Sequence, residues 1–306
     1  MWFKNLNIYK LVNFDMDEEA IAEKLATKTF HPCLPSDAKS TGWISPIEDD
    51  MDGLVHTAMG RHIITLKIEE KNIPASVIKE ELNKRIAKMR KDNPELGKIS
   101  KQVKDKLKEE IRSDMLPNAF SKYNRIRAYI DPKLEILVID NSSRTKAEAF
   151  IQTLQVTLEG DFKCPPLQTK NEVGEEMSRW VRSSQAPDEI EVGERCDLRD
   201  IGDLGKIKYV KHALDDQKLI GYLSDDKTIS ELELHWAEDV RFMLTEDFMM
   251  KGLKFGAKIQ DEAKQDETEN EIDKFDSEFV IMTNTLAHFI PFMTNLFGGE
   301  DVEEAS

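Results

Sequence analysis

The chain has 306 residues, of which 40% are hydrophobic and 33% charged, with a formal net charge of −16. That composition excludes a disordered or fibrous chain, and the length allows one large or two modest cores. Three cysteines, Cys33, Cys164 and Cys196, stand far apart with no CxxC pair, which argues against a disulfide framework or a zinc ribbon and fits a reducing, cytoplasmic compartment.

The opening residues 1–12 read as a strand and not as a signal peptide, because Lys4, Asn5, Asn7 and Lys10 interrupt the apolar stretch and no small-residue cleavage site follows. Asp15 to Thr27 reads as a helix with Asp17, Glu18 and Glu19 in its first turn, where the helix dipole favours acids. After a loop with Pro32, Pro35 and Gly42, strands are expected at Trp43-Ile44, Leu54–Met59 and His62–Ile68, the last two joined in hairpin fashion at Gly60-Arg61.

From Pro74 the pattern changes. Ile78, Leu82, Ile86 and Met89 recur on one helix face, with Lys84, Lys88 and Lys91 opposite. Asn93-Pro94 and Gly97 break this helix. A second follows, with Ile99, Val103, Leu107 and Ile111 on one stripe, Lys101, Lys104, Lys108 and Arg112 on the other side, and Ser100 as N-cap. Between Lys71 and Arg112 there are 13 Lys and Arg against 7 Asp and Glu. Such a hairpin is either a solvated arm supported by pairs such as Glu80–Lys84 and Glu81–Arg85, or a surface for a polyanion.

Beyond it, Arg125–Ile130 and Leu134–Asp140 read as strands around Asp131-Pro132, and Arg144–Leu158 as a helix. Alternation puts Arg125, Arg127 and Tyr129 on one strand face. Cys164-Pro165-Pro166 marks a boundary. The expected organisation is a central α+β domain (1–73 and 116–163), an inserted basic helical hairpin (74–115), and a C-terminal α+β domain (164–306).

The last unit is expected to hold short helices at Val173–Arg182 and Leu214–Leu223. Its strands are placed at Glu189–Arg195, Lys206–Lys211, Ser230–Trp236, Val240–Leu244 and Gly252–Phe255. Lys206, Lys208, Lys211 and His212 crowd one strand end. Asp261 to Ser306 holds 13 acidic and 2 basic residues, so negative charge is segregated from the hairpin. Phe279–Phe297 has no charged residue over 19 positions. Its Asn, His and Thr content and its acidic flanks favour a buried or interface helix over a membrane span.

No phosphate-cradling loop, dinucleotide fingerprint, HExxH or GxSxG occurs. His56 with His62, and the acidic stretch Glu48, Asp49, Asp50 and Asp52, lack ordered ligand spacing and read as ordinary histidines and a solvated loop. No cofactor is expected.

Several motifs in order resemble the RdgC family of recombination-associated proteins: Trp2-Phe3-Lys4-Asn5-Leu6, Phe30-His31-Pro32-Cys33, Gly42-Trp43, Glu69-Glu70-Lys71, Leu116-Pro117-Asn118-Ala119-Phe120-Ser121, Trp180-Val181-Arg182-Ser183, Leu253-Lys254-Phe255 and Gly298-Gly299-Glu300. The resemblance implies an α+β fold of two α/β units with the projecting hairpin. The subunit would be a horseshoe, closing with a second copy into a ring-shaped homodimer with a positively lined hole. It implies binding to double-stranded DNA without sequence preference, weaker binding to single-stranded DNA, functional antagonism of RecA, nucleoid association, and neither enzymatic activity nor a membrane partner. The candidate DNA contacts are Lys84, Lys88, Lys101, Lys104, Lys108, Lys122, Arg125, Arg127, Lys208 and Lys211, with Phe120 at the dimer interface. The chain departs from the family's basic run at 208–211, where Tyr209 and Val210 are uncharged. Two other classes stay open: a protein-interaction or structural factor with a solvated arm, and a hydrolase.

Overall fold

The computed structural model describes residues 1–47, 53–95, 97–160, 162–200, 205–210, 217–224, 227–237, 239–263 and 270–301. The first half runs β1 (Asn5–Lys10), α1 (Glu18–Ala26), β2 (Lys39–Ile44), β3 (Val55–Ala58), β4 (Arg61–Asn72), α2 (Ala75–Asp92), α3 (Lys101–Met115), a 3-10 turn (Leu116–Asn118), β5 (Phe120–Asp131), β6 (Ile136–Ile139) and α4 (Arg144–Leu158). The second runs α5 (Val173–Ser183), β7 (Ile190–Asp200), β8 (Lys206–Val210), α6 (Gln217–Ser224), β9 (Lys227–Trp236), β10 (Val240–Thr245), β11 (Met250–Phe255), α7 (Ala257–Glu262) and α8 (Glu271–Leu296). This is a mixed α+β fold.

One antiparallel sheet runs through both halves in the order β2-β4-β5-β6-β1-β11-β10-β9-β7-β8, with β3 added beside β4. β1 is the joint: Asn7 to Lys10 pair with β6, while Asn5 and Leu6 pair with Lys251 and Met250 of β11. Leu6 and Ile8 join one core layer and Tyr9 the other, so the strand shared by the two half-sheets is buried on both faces.

Alternation then sorts the layers. Trp43, Ile64, Leu66, Ile126, Ala128, Ile130, Leu137 and Ile139 face α1 and α4 and meet Ile21, Leu25, Phe150 and Leu154. Trp43 closes this core, its ring edge-on to Phe150 and its Nε1–H donating to Thr157 Oγ1 at 3.0 Å. Ile8, Ile63, Tyr129 and Val138 face the other way, onto Phe279, Met282 and Leu286 of α8.

α8 continues past the joint, where Phe289 packs on Trp236 and Phe242, and Phe297 packs on Trp180. At about 1.5 Å per residue its 26 residues span roughly 39 Å, enough to brace both half-sheets. His56 and Arg61 tie its first half to β3 and β4, through Asp276 at 2.9 Å and Asn284 at 2.8 Å. The apolar segment expected at Phe279–Phe297 is therefore a bracing helix, but it begins earlier, at Glu271, capped by Asn270. Among the described residues no helix is long and apolar enough to cross a membrane.

Three further readings are corrected by the fold. The β3–β4 turn is Met59-Gly60 and not Gly60-Arg61, both residues having positive φ as a two-residue hairpin of this hand requires. β4 extends to Asn72 and β5 begins at Phe120, in register from His62↔Ile130 to Asn72↔Phe120, because backbone pairing carries the ribbon past the end of the apolar alternation. β2 begins at Lys39 and not at Trp43, paired with β4 from Lys39↔Glu70 to Ile44↔Thr65.

Candidate nucleic-acid interface

α2 and α3 are inserted at the end of the β4–β5 ribbon and pack on each other through Ile78, Leu82 and Ile111, with Ile73, Ile86, Leu107 and Met115 around them. Ser100 caps α3 by accepting from Val103 N. Val77 and Val103 stay exposed, so this small core covers only part of the apolar stripes. Lys84, Lys88, Lys101 and Lys104 all face solvent, and Lys108 is half-buried. Lys84 pairs with Glu80 at 2.8 Å, a hydrogen bond that raises its pKa, and Lys108 pairs with Asp105 at 2.9 Å. Lys88, Lys101 and Lys104 make no ion pair among the described residues.

Below the arm, the ribbon register sets a second group of cations side by side. Lys67 lies opposite Arg125, Thr65 opposite Arg127, and Glu69 opposite Tyr123. Residues opposed in a ladder share a sheet face, so Lys67, Arg125, Arg127 and Tyr123 form one surface. Lys67 Nζ stands 4.7 Å from the Phe30 ring centroid and 5.6 Å from that of Tyr123. The buried Glu69 carboxylate accepts from Ser121 Oγ, from Cys33 N at 2.8 Å and from Tyr123 OH at 3.3 Å. The Ser121 hydrogen bond, then that from Cys33, holds this carboxyl below the usual range. It anchors the tyrosine, whose ring remains 56% exposed.

The shared face expected for Arg125, Arg127 and Tyr129 changes character along β5. Arg125 is exposed and Arg127 half-buried, while Tyr129 is fully buried against Phe3 and Phe279 and contributes nothing to a surface. The reason is α8, which covers this face at one end of the ribbon only. Burial, and then the neighbouring Arg125 charge, push the Arg127 pKa down. Lys122 is exposed, opposite Glu70 and so on the other face of β5.

In the second half, Lys208 is exposed on β8 but lies 3.3 Å from Asp197 Oδ2, which also takes Lys206 at 2.9 Å. Glu231 receives Lys206 and Lys251 at 3.5 and 3.2 Å. These cations are matched by acids across the ladder. Lys211 and His212 lie outside the described residues, as does the acidic stretch 48–52. Phe120 is 88% exposed at the base of the arm, so a role in the core of the subunit does not hold.

Lys67 was missed in the sequence, because its significance depends on Arg125, Phe30 and Tyr123, which arrive from other segments. The cysteines carry no nucleophile signature: burial pushes the thiols of Cys164 and Cys196 up to about 12. Among the described residues no group of three or more His, Cys, Asp or Glu is arranged to hold a metal ion.

Fold and surface define an α+β protein built on one continuous antiparallel sheet, with a basic helical arm set on its longest ribbon. The chain belongs to the RdgC family, whose model, described as "Putative exonuclease, RdgC", matches residues 1–300. It is 33% identical over 309 residues to the recombination-associated protein RdgC of Shewanella oneidensis, covering 100% of both chains. It is 32% identical to the proteins of the same name from Shewanella loihica (98% of both chains) and Yersinia enterocolitica (98% of this chain and 99% of the relative).

Proposed function

We propose that the protein acts in recombination, in keeping with relatives named recombination-associated proteins, and that it does so by binding duplex DNA without sequence preference. The observation that supports this most directly is the distribution of charge in a chain of net charge −16: Lys88, Lys101 and Lys104 on the arm face solvent with no ion pair among the described residues, and Lys67, Arg125 and Arg127 share one face of the ribbon that carries the arm. Lysines and arginines on a helix surface and a sheet floor meet phosphates well and read bases poorly. Single-stranded DNA is bound more weakly, because this surface offers one partly exposed tyrosine and no series of stacking rings.

The assembly belongs to the same proposal. A horseshoe subunit with the organisation 1–73 with 116–163, 74–115 and 164–306 closes with a second copy into a ring, with Phe120 in the contact between arms. Lys84, Lys88, Lys101, Lys104, Lys108, Lys122, Arg125, Arg127, Lys208 and Lys211 supply the positive lining. Occupying duplex in this way restrains RecA-promoted recombination and places the protein on the nucleoid, with no catalytic step of its own.

The family description makes a nuclease the competing reading. Incubation of labelled linear and circular duplex with the protein, with and without Mg²⁺ and Mn²⁺, separates the two. Retention in a gel shift with the DNA intact supports binding, and metal-dependent shortening supports the nuclease. An arm that is only a solvated support predicts neither.

A further inference from the structure

Two residues paired across the ribbon each hold a side-chain atom without a hydrogen-bond partner. Arg127 Nε and Thr65 Oγ1 are both enclosed and make no hydrogen bond, and the register places the two residues directly opposite. Buried polar groups are normally satisfied, and drawing part of a cation out of water without a counter-charge is unfavourable. The carboxylate whose charge acts on Arg127, Asp140, is already engaged: its Oδ1 accepts from the backbone of Lys4 and Asn5 and from Asn5 Nδ2, at 3.1, 2.9 and 3.2 Å. No ion pair to Arg127 is formed among the described residues. Arg125, two positions along the same face, adds positive charge and no relief.

This differs from the arm, where lysines in open water gain little from any single anion. A half-buried guanidinium is planar, weakly hydrated and suited to two parallel hydrogen bonds with a tetrahedral oxyanion. We propose that Arg127, with the Thr65 hydroxyl beside it, forms a recessed phosphate subsite on the Lys67–Arg125 face, taking one backbone phosphodiester of DNA or, without DNA, inorganic phosphate. The phosphodiester half rests on the DNA-binding reading; the inorganic phosphate half does not.

The test is thermal unfolding of the full chain against inorganic phosphate, with chloride at equal ionic strength as control, for wild type, Arg127→Gln and Thr65→Val. A melting temperature that climbs with phosphate in wild type, with a shift at least about threefold smaller in both variants, supports the subsite. Thr65→Val guards against misfolding of Arg127→Gln, since replacing an orphan hydroxyl with a methyl keeps the volume. If that hydroxyl is only an unsatisfied structural group, Thr65→Val raises stability and leaves the phosphate response unchanged, and the proposal fails. It fails equally if phosphate and chloride act alike on wild type. For the source of the phosphate, Arg127→Gln should lower the salt slope of duplex binding by about 0.9. A phosphate response without DNA retention keeps the subsite and removes the DNA reading. DNA retention without a phosphate response does the opposite.

Discussion

Lys67 and Arg125 stand directly opposite one another across β4 and β5, two cations on one sheet face. Lys67 also lies against the Phe30 and Tyr123 rings, whose faces attract a cation. A phosphate placed between the two would be attracted by both charges. The pair therefore links fold and function.

From this pair we expect Arg125→Gln to weaken duplex binding to all sequences alike and to reduce the salt slope by about 0.9, while stability changes by less than about 0.5 kcal/mol. Filter binding across a salt series, on two unrelated duplexes, measures both. Discrimination between the duplexes, or an unchanged slope, contradicts the expectation. For wild type the several cations should give a slope of about −4 or steeper.

Lys208→Glu tests the second half. Since Asp197 already lies 3.3 Å from Lys208, reversing this charge puts two acids together on the ladder and should lower stability by about 0.2–1 kcal/mol. Its effect on DNA affinity should be smaller than that of Arg125→Gln. A loss larger than that of Arg125→Gln would place the main contact on β8.

Phe120→Ala should leave the unfolding midpoint of the subunit nearly unchanged, because the ring is 88% exposed. If the ring joins two arms, its loss removes an anchor of roughly 2 kcal/mol and bound circular duplex leaves faster, while the solution mass remains that of a dimer held elsewhere. Mass measurement and dissociation from circular and linear duplex, side by side, decide the matter. Equal rates on both forms speak against the closed ring.

Asp131→Ala should be severe. Asp131 is 1% exposed, receives Arg61 Nε at 2.7 Å and accepts from the backbone of Lys133 and Leu134 at 3.0 and 3.2 Å. Truncation leaves an unpaired Arg61 and an open turn, costing about 3–5 kcal/mol in urea titration. Asn284→Ala, at the exposed end of the same arginine, should cost about 1 kcal/mol.

Alkaline pH should weaken the fold through Cys164 and Cys196. Their thiol pKa values in the folded state are raised to about 12 by burial, so the unfolded chain gives up these protons first. The stabilising difference is complete below the ordinary thiol range, near 8.5, and is lost as pH rises from there toward 12. Urea midpoints at pH 7, 9 and 10 should fall, and less so in Cys196→Ala when each variant is compared with its own value at pH 7. Native-state alkylation at pH 8 should reach Cys33, which is partly exposed, and spare Cys196 until denaturant is added.

Gly42→Ala tests how the edge of the sheet is closed. A Cβ on Gly42 would sit on the backbone of Phe30, held there by Phe30 N to Trp43 O and Trp43 N to Lys28 O, both 2.9 Å. Backbone cannot yield as a side chain does, so a loss of about 1–3 kcal/mol is expected, with DNA contacts untouched.

The sequence by itself determined what is local. The arm's two helices, the Ser100 cap and the Glu80–Lys84 pair could all be read from spacing, because periodicity, capping and i,i+4 contacts need only neighbours within a turn or two. The strand face of Arg125 and Arg127 was legible for the same reason. Whether that face met water was not: α8, folded back from the far end of the chain, buries Tyr129 and leaves Arg125 exposed. Tertiary structure alone brought Lys67 to Arg125, drew Asp197 beside Lys208, turned Phe120 outward, and left Arg127 Nε and Thr65 Oγ1 without partners. Each depends on register between segments distant in the chain. That register is set by the joint burial of both sheet faces, a condition no single segment contains.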